Sequence, residues 1–451
     1  MKNICFIANY YKTDVFVEIA KVLKIDNIKA FWIIPNRKQY RELRAMFPED
    51  QLLYIGKKEV LAYSNKVVNV DLKINELVYG DRVLREESAT WTFDYLLKLQ
   101  ELVYDFINTN AIEFVFGEAT WAHELVVHRL TMQFKELNCV FLSPQTIRIP
   151  NGRFAFFKDE YLSSIKEVQK STMAVKESIK LEKPAYLALN DKLLANKGTL
   201  RHSLKLIKNF VLRTNQDAND PTLYSSPSTQ FRIRTTEIYN RFLFKKFISE
   251  TKEDELPKDK KVILVTLHKQ PEASVDVNGR YYENQLTLII NIWRIMPNDF
   301  ILLVKEHSNA IGDRSLRFYK AIKKLRNTYL VNHKADSHKL IDISHSVFTI
   351  SGTIAYEAAL KGKNAFTFAP AFFNKMSGCD EVSWKDFKYK SLTTLINNNK
   401  KGLSVNEFSN WLLENSFEGI MSDAFGDPRC MHQDNIKALS AAFLTVIKKI
   451  F

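Results

Sequence analysis

Short apolar runs alternate with stretches of helical spacing, and this rhythm occurs twice along the chain. The first series covers residues 4–144 and the second covers residues 261–370. Apolar runs of about four to eight residues are typical of buried strands, whereas apolar residues three and four positions apart are typical of helices. Strands that alternate with helices favour right-handed crossovers and mainly parallel sheets. The sequence therefore predicts an α/β protein with two Rossmann-like, doubly wound domains facing a central cleft.

Length agrees with two domains, because 451 residues exceed what one hydrophobic core usually contains. Between the two series, a stretch rich in lysine and turn formers lacks a clear strand pattern. We expect it to be a helical insertion with a linker, and a third small helical domain is the alternative. The predicted parts are an N-terminal Rossmann-like domain (1–150), the insertion and linker (151–258), a C-terminal Rossmann-like domain (259–430) and a C-terminal helix (431–451) that packs back on the first domain.

The chain is basic, with a formal net charge of +14. Such a surface favours anionic partners, although a lysine-rich soluble enzyme has the same composition. The four cysteines are far apart, which predicts neither a disulfide framework nor a zinc site and indicates a reducing compartment. The first residues do not resemble a signal peptide, and no apolar stretch approaches the roughly 20 residues of a membrane span. We expect a cytoplasmic protein, with peripheral contact with the inner face of the membrane left open.

Polar side chains follow the predicted strands of the second series, where open parallel sheets bind ligands. The most informative element is Ser351-Gly352-Thr353, because backbone N–H groups at a helix start attract anions and glycine allows a phosphate to approach. Glu357, one turn later, is expected to accept hydrogen bonds from ribose hydroxyls. The alternative is a plain N-cap, but a capping box from Thr353 would need Glu or Gln at Tyr356. We therefore favour a phosphate and ribose site.

Other strand ends add candidates for the same ligand. His307, beside Lys305, is placed to hydrogen-bond a base, a phosphate or a sugar carboxylate. Lys269 and Gln270 are placed to reach a phosphate or a sugar. Solvent-exposed loops are the alternative for all of these positions.

Several common site motifs are missing from the sequence. No G-x-G-x-x-G follows residues 4–8 or 261–268, which argues against NAD, and no G-x-x-x-x-G-K-[ST] is present. There is no H-E-x-x-H, no Cys/His cluster and no Asp-x-Asp pair. We expect no cofactor and metal-independent chemistry.

Three stretches of the sequence resemble the capsule polysaccharide biosynthesis family, which includes retaining Kdo transferases with a GT-B-like pair of Rossmann domains. They are "HKQPEAS" (268–274), "VKEHSN" (304–309) and "ADSHKLIDISHSVFTISGTIAYEAALKGKNAFTFA" (335–369). The resemblance covers roughly residues 260–370, whereas the N-terminal half has only a general α/β likeness. Ser308 stands where the family has proline, so another nucleotide-sugar donor stays open.

The resemblance implies a glycosyltransferase that moves a sugar, Kdo or another CMP-linked sugar acid, to a surface polysaccharide or glycolipid acceptor in capsule or lipopolysaccharide biosynthesis. The partners would be a nucleotide-sugar donor and a glycan or lipid-linked glycan acceptor, with no nucleic acid. The residues implied in donor binding are Lys269, Gln270, Glu272, Lys305, His307, Ser351, Gly352, Thr353 and Glu357.

In such enzymes the acceptor and the catalytic carboxylate come mostly from the N-terminal domain. Glu118 and His123, in "FGEATWAHE" (116–124), are the catalytic candidates, with Glu118 as nucleophile or general base. A glutamate stabilised by a helix dipole is the alternative. Arg153 is expected to neutralise an acceptor carboxylate or a phosphate, unless it lies in a surface turn.

Two other functions stay open. A nucleotide-sugar epimerase of the same architecture would need no separate acceptor. A nucleic-acid-binding protein would use the basic surface, but the lysines are spread along the chain instead of forming one stripe with aromatic residues. We expect the C-terminal helix to pack on the core, with Lys448 and Lys449 as its membrane-facing tip, and a helix that lies on the membrane is the alternative.

Overall fold

The computed structural model of the chain describes residues 2–10, 12–64, 71–168, 179, 181, 217–398 and 402–449. It separates into two compact units. Unit 1 comprises the described parts of Met1–Glu160, Ile165–Ser226 and Trp411–Phe451, and unit 2 comprises Tyr161–Ser164 and Pro227–Asn410.

Unit 1 contains a seven-stranded sheet that is parallel over five strands. Its strands are β1 (Lys2–Ile7), β2 (Ile28–Ile34), β3 (Leu52–Tyr54), β4 (Phe114–Phe116), β5 (Val140–Thr146), β6 (Arg153–Phe157) and β13 (Phe417–Glu418). The strand order is β13-β6-β5-β4-β1-β2-β3, and β6 and β13 pair in the antiparallel direction. The parallel part has the Rossmann order 3-2-1-4-5.

Unit 2 contains a six-stranded sheet in which every pairing is parallel. Its strands are β7 (Lys261–Thr266), β8 (Phe300–Lys305), β9 (Thr328–Val331), β10 (Ser346–Thr349), β11 (Asn364–Thr367) and β12 (Cys379–Glu381). The order β12-β11-β10-β7-β8-β9 is the full Rossmann order.

Helices connect these strands. In unit 1 they are α1 (Lys12–Leu23), α2 (Arg37–Arg44), α3 (Lys57–Ala62), α4 (Ile74–Gly80), α5 (Ala89–Thr109), α6 (Ala122–Gln133) and the last helix, α16 (Gln433–Lys449). The remainder are α7 (Pro227–Phe247), α8 (Ala273–Asp276), α9 (Gln285–Arg294), α10 (Leu316–Lys323), α11 (Ser337–Ile343), α12 (Thr353–Leu360), α13 (Trp384–Tyr389), α14 (Leu392–Asn397) and α15 (Val405–Glu414), and the boundary between the units falls within α15.

Each unit has its own apolar core. In unit 1 the central strands β1 and β4 contribute Phe6 and Phe116, and the ring of Phe443 on α16 lies 4.7 Å from that of Phe116. In unit 2, Phe348 on β10 stacks on Phe366 of β11 with ring centroids 4.6 Å apart. Near-continuous hydrophobic runs in the sequence are typical of strands in a sheet that helices cover on both faces.

The predicted α/β class with two Rossmann-like domains is confirmed by the two strand orders. One local expectation differs from the structure. Residues 153–157 lie in the stretch expected to be helices and loops, yet they form β6. A turn at Gly152, whose φ is +74°, reverses the chain so that β6 pairs with β5 and extends the sheet. Part of the predicted insertion, including residues 182–216, lies outside the described residues.

Candidate functional site

In both units the strand order reverses beside the first strand, and Rossmann-like sheets bind ligands at that switch point. In unit 1 the switch point lies between β1 and β4. Asn9 and Lys12 follow β1, and Glu118 follows β4. The Asn9 side-chain amide donates a hydrogen bond to Glu118 Oε2 at 2.6 Å, and the Lys12 ammonium forms an ion pair with Glu118 Oε1. The predicted catalytic carboxylate, Glu118, therefore lies at the carboxyl ends of the parallel strands, where ligands are expected.

The loop that carries Glu118 is held by a second carboxylate, Glu124, which is fully buried on α6. Glu124 accepts hydrogen bonds from the backbone N–H groups of Glu118 (3.2 Å), Thr120 (2.7 Å) and Trp121 (3.1 Å). It also accepts from the Thr120 hydroxyl at 3.0 Å and from the Asn9 amide at 3.3 Å. Burial, assisted by the charge of Glu118, raises the pKa of Glu124 despite these donors.

An open cavity of about 200 Å³ lies at this switch point. Its lining consists of Asn9, Tyr10, Lys12, Glu118, Met421, Ser422 and Asp423. The lining residues therefore carry an ammonium, an amide, two hydroxyls and two carboxylates. Such a set suits a hydroxyl-rich ligand, and the carboxylates of Glu118 and Asp423 are groups that can take a proton or attack a carbon.

His123 lies in the first turn of α6 and is only 3% exposed. Burial lowers the pKa of His123 to about 4, so its imidazole is neutral at pH 7. Its Nε2 has no hydrogen-bond partner among the described residues. His123 also lines a small space together with Gln39 and Thr222. Its predicted catalytic role stays a prediction.

The neighbouring strand ends of unit 1 are covered by the segment 217–226. The Asn36 amide, after β2, donates to Asp220 Oδ2 at 2.8 Å. The backbone N–H of Lys57, after β3, donates to the carbonyl of Asn219 at 2.8 Å. Consequently the chain itself satisfies polar groups at the ends of β2 and β3, while the cavity at β1 and β4 stays open.

Arg153 lies on β6, and its guanidinium binds the chain itself. It donates to the Ser416 hydroxyl (2.9 Å), to the Ser416 carbonyl (2.9 Å) and to the Leu413 carbonyl (3.0 Å). It also lies 3.4 Å from the exposed carboxylate of Glu418. These contacts tie β6 to the C-terminal part of unit 1, and the predicted contact with an acceptor or phosphate stays a prediction.

In unit 2 the switch point lies between β7 and β10. His268 follows β7, and its Nε2 is 2.9 Å from the Thr349 hydroxyl at the end of β10. The Ser351 hydroxyl donates to the carbonyl of Ser274 at 2.8 Å. A Cβ on Gly352 would lie 2.7 Å from Thr349 Oγ1 and 3.3 Å from His268 Cε1. A side chain at this position would crowd the Thr349 hydroxyl, and the backbone also passes close to His268.

Helix α12 starts at this point, with Gly352 as its N-cap residue. Glycine has no side chain with which to cap the first turn, and the backbone N–H of Ala355 donates to the Gly352 carbonyl at 3.1 Å. Helix starts generally leave backbone N–H groups for a ligand or water to satisfy. Glu357, one turn later, is mostly buried and pairs with His338 Nε2 at 3.1 Å. The predicted phosphate and ribose positions thus border one helix start.

The end of β8 contributes the predicted Lys305 and His307. The Lys305 ammonium donates to the carbonyl of His333 at 3.1 Å, and burial lowers its pKa. His307 Nδ1 accepts from the backbone N–H of Asn309 at 3.2 Å, which orients the ring. Between them, Glu306 is fully buried, and its two oxygens both accept from Nη1 of Arg314, at 2.7 and 2.8 Å.

The three predicted residues after β7 are held by local contacts. Lys269 forms an ion pair with Asp313 at 3.0 Å. The Gln270 amide donates to Asp276 Oδ1 at 3.1 Å, and the backbone N–H of Glu272 donates to Asp276 Oδ2 at 2.9 Å. Their predicted contacts with a donor stay predictions.

Several site residues were not singled out from the sequence. Asn9 and Lys12 follow an apolar strand, as Glu118 does, so the same strand-end criterion would have found them. His268 also directly follows an apolar strand, β7, so the same criterion would have found it. Glu124 carried no local signal, because its role depends on a loop in which Ala119 has a φ of +55°. Among the described residues, no group of three or more His, Cys, Asp or Glu side chains is arranged to hold a metal ion.

Comparison with known proteins gives only distant likenesses. No protein-family model matches the chain, and no curated protein matches it. Similar solved structures include KpsC, the beta Kdo 2,7 transferase of Thermosulfurimonas dismutans, with 11% identity, 100% of both chains covered and a TM-score of 0.41. The beta Kdo 2,4 transferase of the same KpsC has 10% identity over 68% of this chain and 82% of that chain, with a TM-score of 0.32.

A third similar structure is UDP-GlcNAc 2-epimerase from Neisseria meningitidis bound to UDP-GlcNAc. It has 11% identity over 92% of this chain and 99% of that chain, with a TM-score of 0.25. Likenesses of this size do not establish a family or an activity.

Proposed function

We propose that the protein is a glycosyltransferase that moves a sugar from a nucleotide-sugar donor to a glycan or lipid-linked glycan acceptor of the cell surface. The donor is a CMP-linked sugar acid such as Kdo, by the resemblance of residues 260–370 to the capsule polysaccharide family. The observation that carries the proposal is the start of α12, which opens at the switch point of unit 2 without a side-chain cap. A helix start at this position of a Rossmann-like sheet is suited to an anionic phosphate.

The donor half of the reaction belongs to unit 2. The phosphate of the donor would accept hydrogen bonds from the N–H groups that open α12 and from the hydroxyl of Thr353. Lys305 and His307, at the end of a strand in the same sheet, add positive charge and a hydrogen-bonding ring. Glu357 would accept from the ribose, with His338 orienting its carboxylate at 3.1 Å.

The acceptor half belongs to unit 1. The acceptor hydroxyl would occupy the cavity beside Glu118, where Asn9 and Ser422 supply hydrogen bonds. In an inverting reaction the bond between the anomeric carbon and the acceptor oxygen forms while the bond to the donor phosphate breaks, the nucleotide leaves with the electron pair of that bond, and Glu118 takes the proton of the hydroxyl. In a retaining reaction a carboxylate first displaces the nucleotide and bonds to the anomeric carbon; the acceptor oxygen then displaces that carboxylate and passes its proton to the released phosphate. No metal ion or cofactor is needed for either route.

Isothermal titration calorimetry with CMP and UDP tests the donor site. We expect His307→Ala and Glu357→Ala to abolish binding of the nucleotide that the wild-type protein binds. Lys388→Ala, an exposed lysine on α13 of the same unit, is the matched control and should bind as the wild type does. Circular dichroism and thermal unfolding verify that each variant is folded. Unchanged affinity in the two site variants would refute the donor site.

Mass spectrometry of products tests the reaction itself. A panel of CMP-, UDP- and GDP-sugars is incubated with and without glycan acceptors. We expect product only with an acceptor, and Glu118→Gln should lose transfer while it still binds the nucleotide. An isomerised nucleotide-sugar formed without acceptor would replace the transferase with an epimerase.

A further inference from the structure

Helix α7 presents large apolar side chains to solvent along its length. Within the described residues fifteen large hydrophobic side chains are exposed, and five of them lie on this helix: Phe231, Ile238, Tyr239, Phe242 and Phe247. Exposed apolar side chains normally occur singly over a protein surface. Their concentration on one helix therefore indicates an interaction surface.

The helix is attached to unit 2 by one face and presents the opposite face outward. On the attached face, Phe244 is buried with its ring 4.7 Å from that of Tyr319, and the buried Asn240 amide donates to the Gly312 carbonyl. Phe231, Ile238 and Phe242 are spaced by seven and four residues, so they share the outward face. Ile238 is 65% exposed and Phe242 is 57% exposed.

The charge of α7 is strongly positive. Its sequence holds five basic residues and one acidic residue. The acidic residue, Glu237, is paired with Arg241 at 2.6 Å and with Arg234 at 3.4 Å. In the last turn, the Lys246 ammonium lies 5.7 Å from the centre of the Phe242 ring and 5.3 Å from that of Phe247. Positive charge thus borders the exposed aromatic rings.

We propose that α7 docks on an anionic lipid bilayer, with Ile238 and Phe242 in the interfacial region and the basic side chains at the headgroups. Aromatic and aliphatic side chains flanked by Lys and Arg are the composition that binds helices in the plane of a membrane. A second copy of the chain is a poorer occupant, because two such helices would bring like charges together. Among the described residues, no helix has both the length and the apolar character of a membrane span.

Vesicle sedimentation tests the proposal with the full chain. Phosphatidylcholine vesicles are compared with vesicles that also contain phosphatidylglycerol, at low and at high salt. We expect binding to the anionic vesicles, weakened by salt. Lys245→Gln combined with Lys246→Gln should weaken this binding by about 30-fold, since each basic residue near the surface contributes about fivefold. Ile238→Ser combined with Phe242→Ser should weaken it by at least about tenfold.

Matched controls come from α13 of the same unit. Lys385→Gln combined with Lys388→Gln removes the same charge, and Tyr389→Ser removes an exposed aromatic ring. These controls should bind vesicles as the wild type does. Equal binding to both vesicle types, or wild-type binding by the α7 variants, would overturn the proposal. So would loss of self-association or of oligonucleotide binding in the α7 variants with vesicle binding unchanged.

Discussion

Replacing Glu124 by glutamine changes one oxygen of a fully buried carboxylate into an N–H₂ group. All five hydrogen bonds that Glu124 makes are accepted from donors, three of them at Oε2 and two at Oε1. A glutamine would keep its oxygen where the three shorter bonds are. Its N–H₂ group would then face the backbone N–H of Glu118 and the side chain of Asn9.

We expect this substitution to lower the free energy of unfolding by about 1–3 kcal/mol at pH 7, which is the usual cost of one unsatisfied buried donor. Asn9 cannot turn its oxygen towards this N–H₂ group without losing its hydrogen bond to Glu118, and the backbone N–H of Glu118 cannot move. The pKa of Glu124 is raised by burial, so its stabilising contribution is present below about 4.5 and is lost as the pH rises through the folded-state pKa. Glutamine lacks this dependence, and the difference between the proteins should be larger at pH 4 than at pH 7.

Urea denaturation from pH 4 to pH 8 measures both quantities. Glu136→Gln, an exposed position in the same unit, is the control and should stay within about 0.5 kcal/mol of the wild type. The reasoning fails if Glu124→Gln is as stable as the wild type throughout, or if the difference grows as the pH rises. The first result would mean that these hydrogen bonds do not stabilise the fold. The second would mean that the donors outweigh burial, so that the pKa of Glu124 is lowered in the folded state.

Three further substitutions have defined outcomes. In the wild type, the low pKa of His123, about 4, costs about 3 kcal/mol of stability as the pH falls from 6.5 to 4, and His123→Gln should remove this loss in urea denaturation. Glu306→Gln leaves Arg314 buried with a broken ion pair, so thermal unfolding should report a loss of about 3–5 kcal/mol. Gly352→Ala should cost about 1–3 kcal/mol and weaken nucleotide binding in calorimetry, because the new methyl group meets Thr349.

The two-domain α/β fold could be predicted from the sequence because strand and helix periodicity is local. The antiparallel extension of the first sheet could not. Strand β6 follows β5 after a short turn, but β13 comes from a segment more than 200 residues later, and no local pattern states that pairing. The segment 217–226, which covers the ends of β2 and β3, also makes contacts distant in sequence, since Asp220 and Asn36 are 184 residues apart.

The candidate site was predictable to the extent that its residues directly follow strands. Glu118 met that criterion, and the cavity beside it adds partners from the chain's other end, Ser422 and Asp423. No spacing rule connects these residues with Glu118, because the C-terminal segment returns to unit 1 through tertiary packing alone. The pairing of Glu357 with His338 also depends on how α11 and α12 lie against one sheet.

The two units share a central strand order but place different chemical groups at their switch points. The switch point of unit 1 is bordered by carboxylates, an ammonium and an amide, which are groups that exchange protons and bind hydroxyls. The switch point of unit 2 is bordered by an uncapped helix start, hydroxyls and an imidazole, which are groups that bind anions. Transfer of a sugar from a nucleotide phosphate to an acceptor hydroxyl needs one set of groups that bind anions and one set that binds hydroxyls and exchanges protons. The difference between the two strand-end sets, more than the strand order that they share, therefore supports a two-substrate transferase over an enzyme that binds a nucleotide-sugar alone.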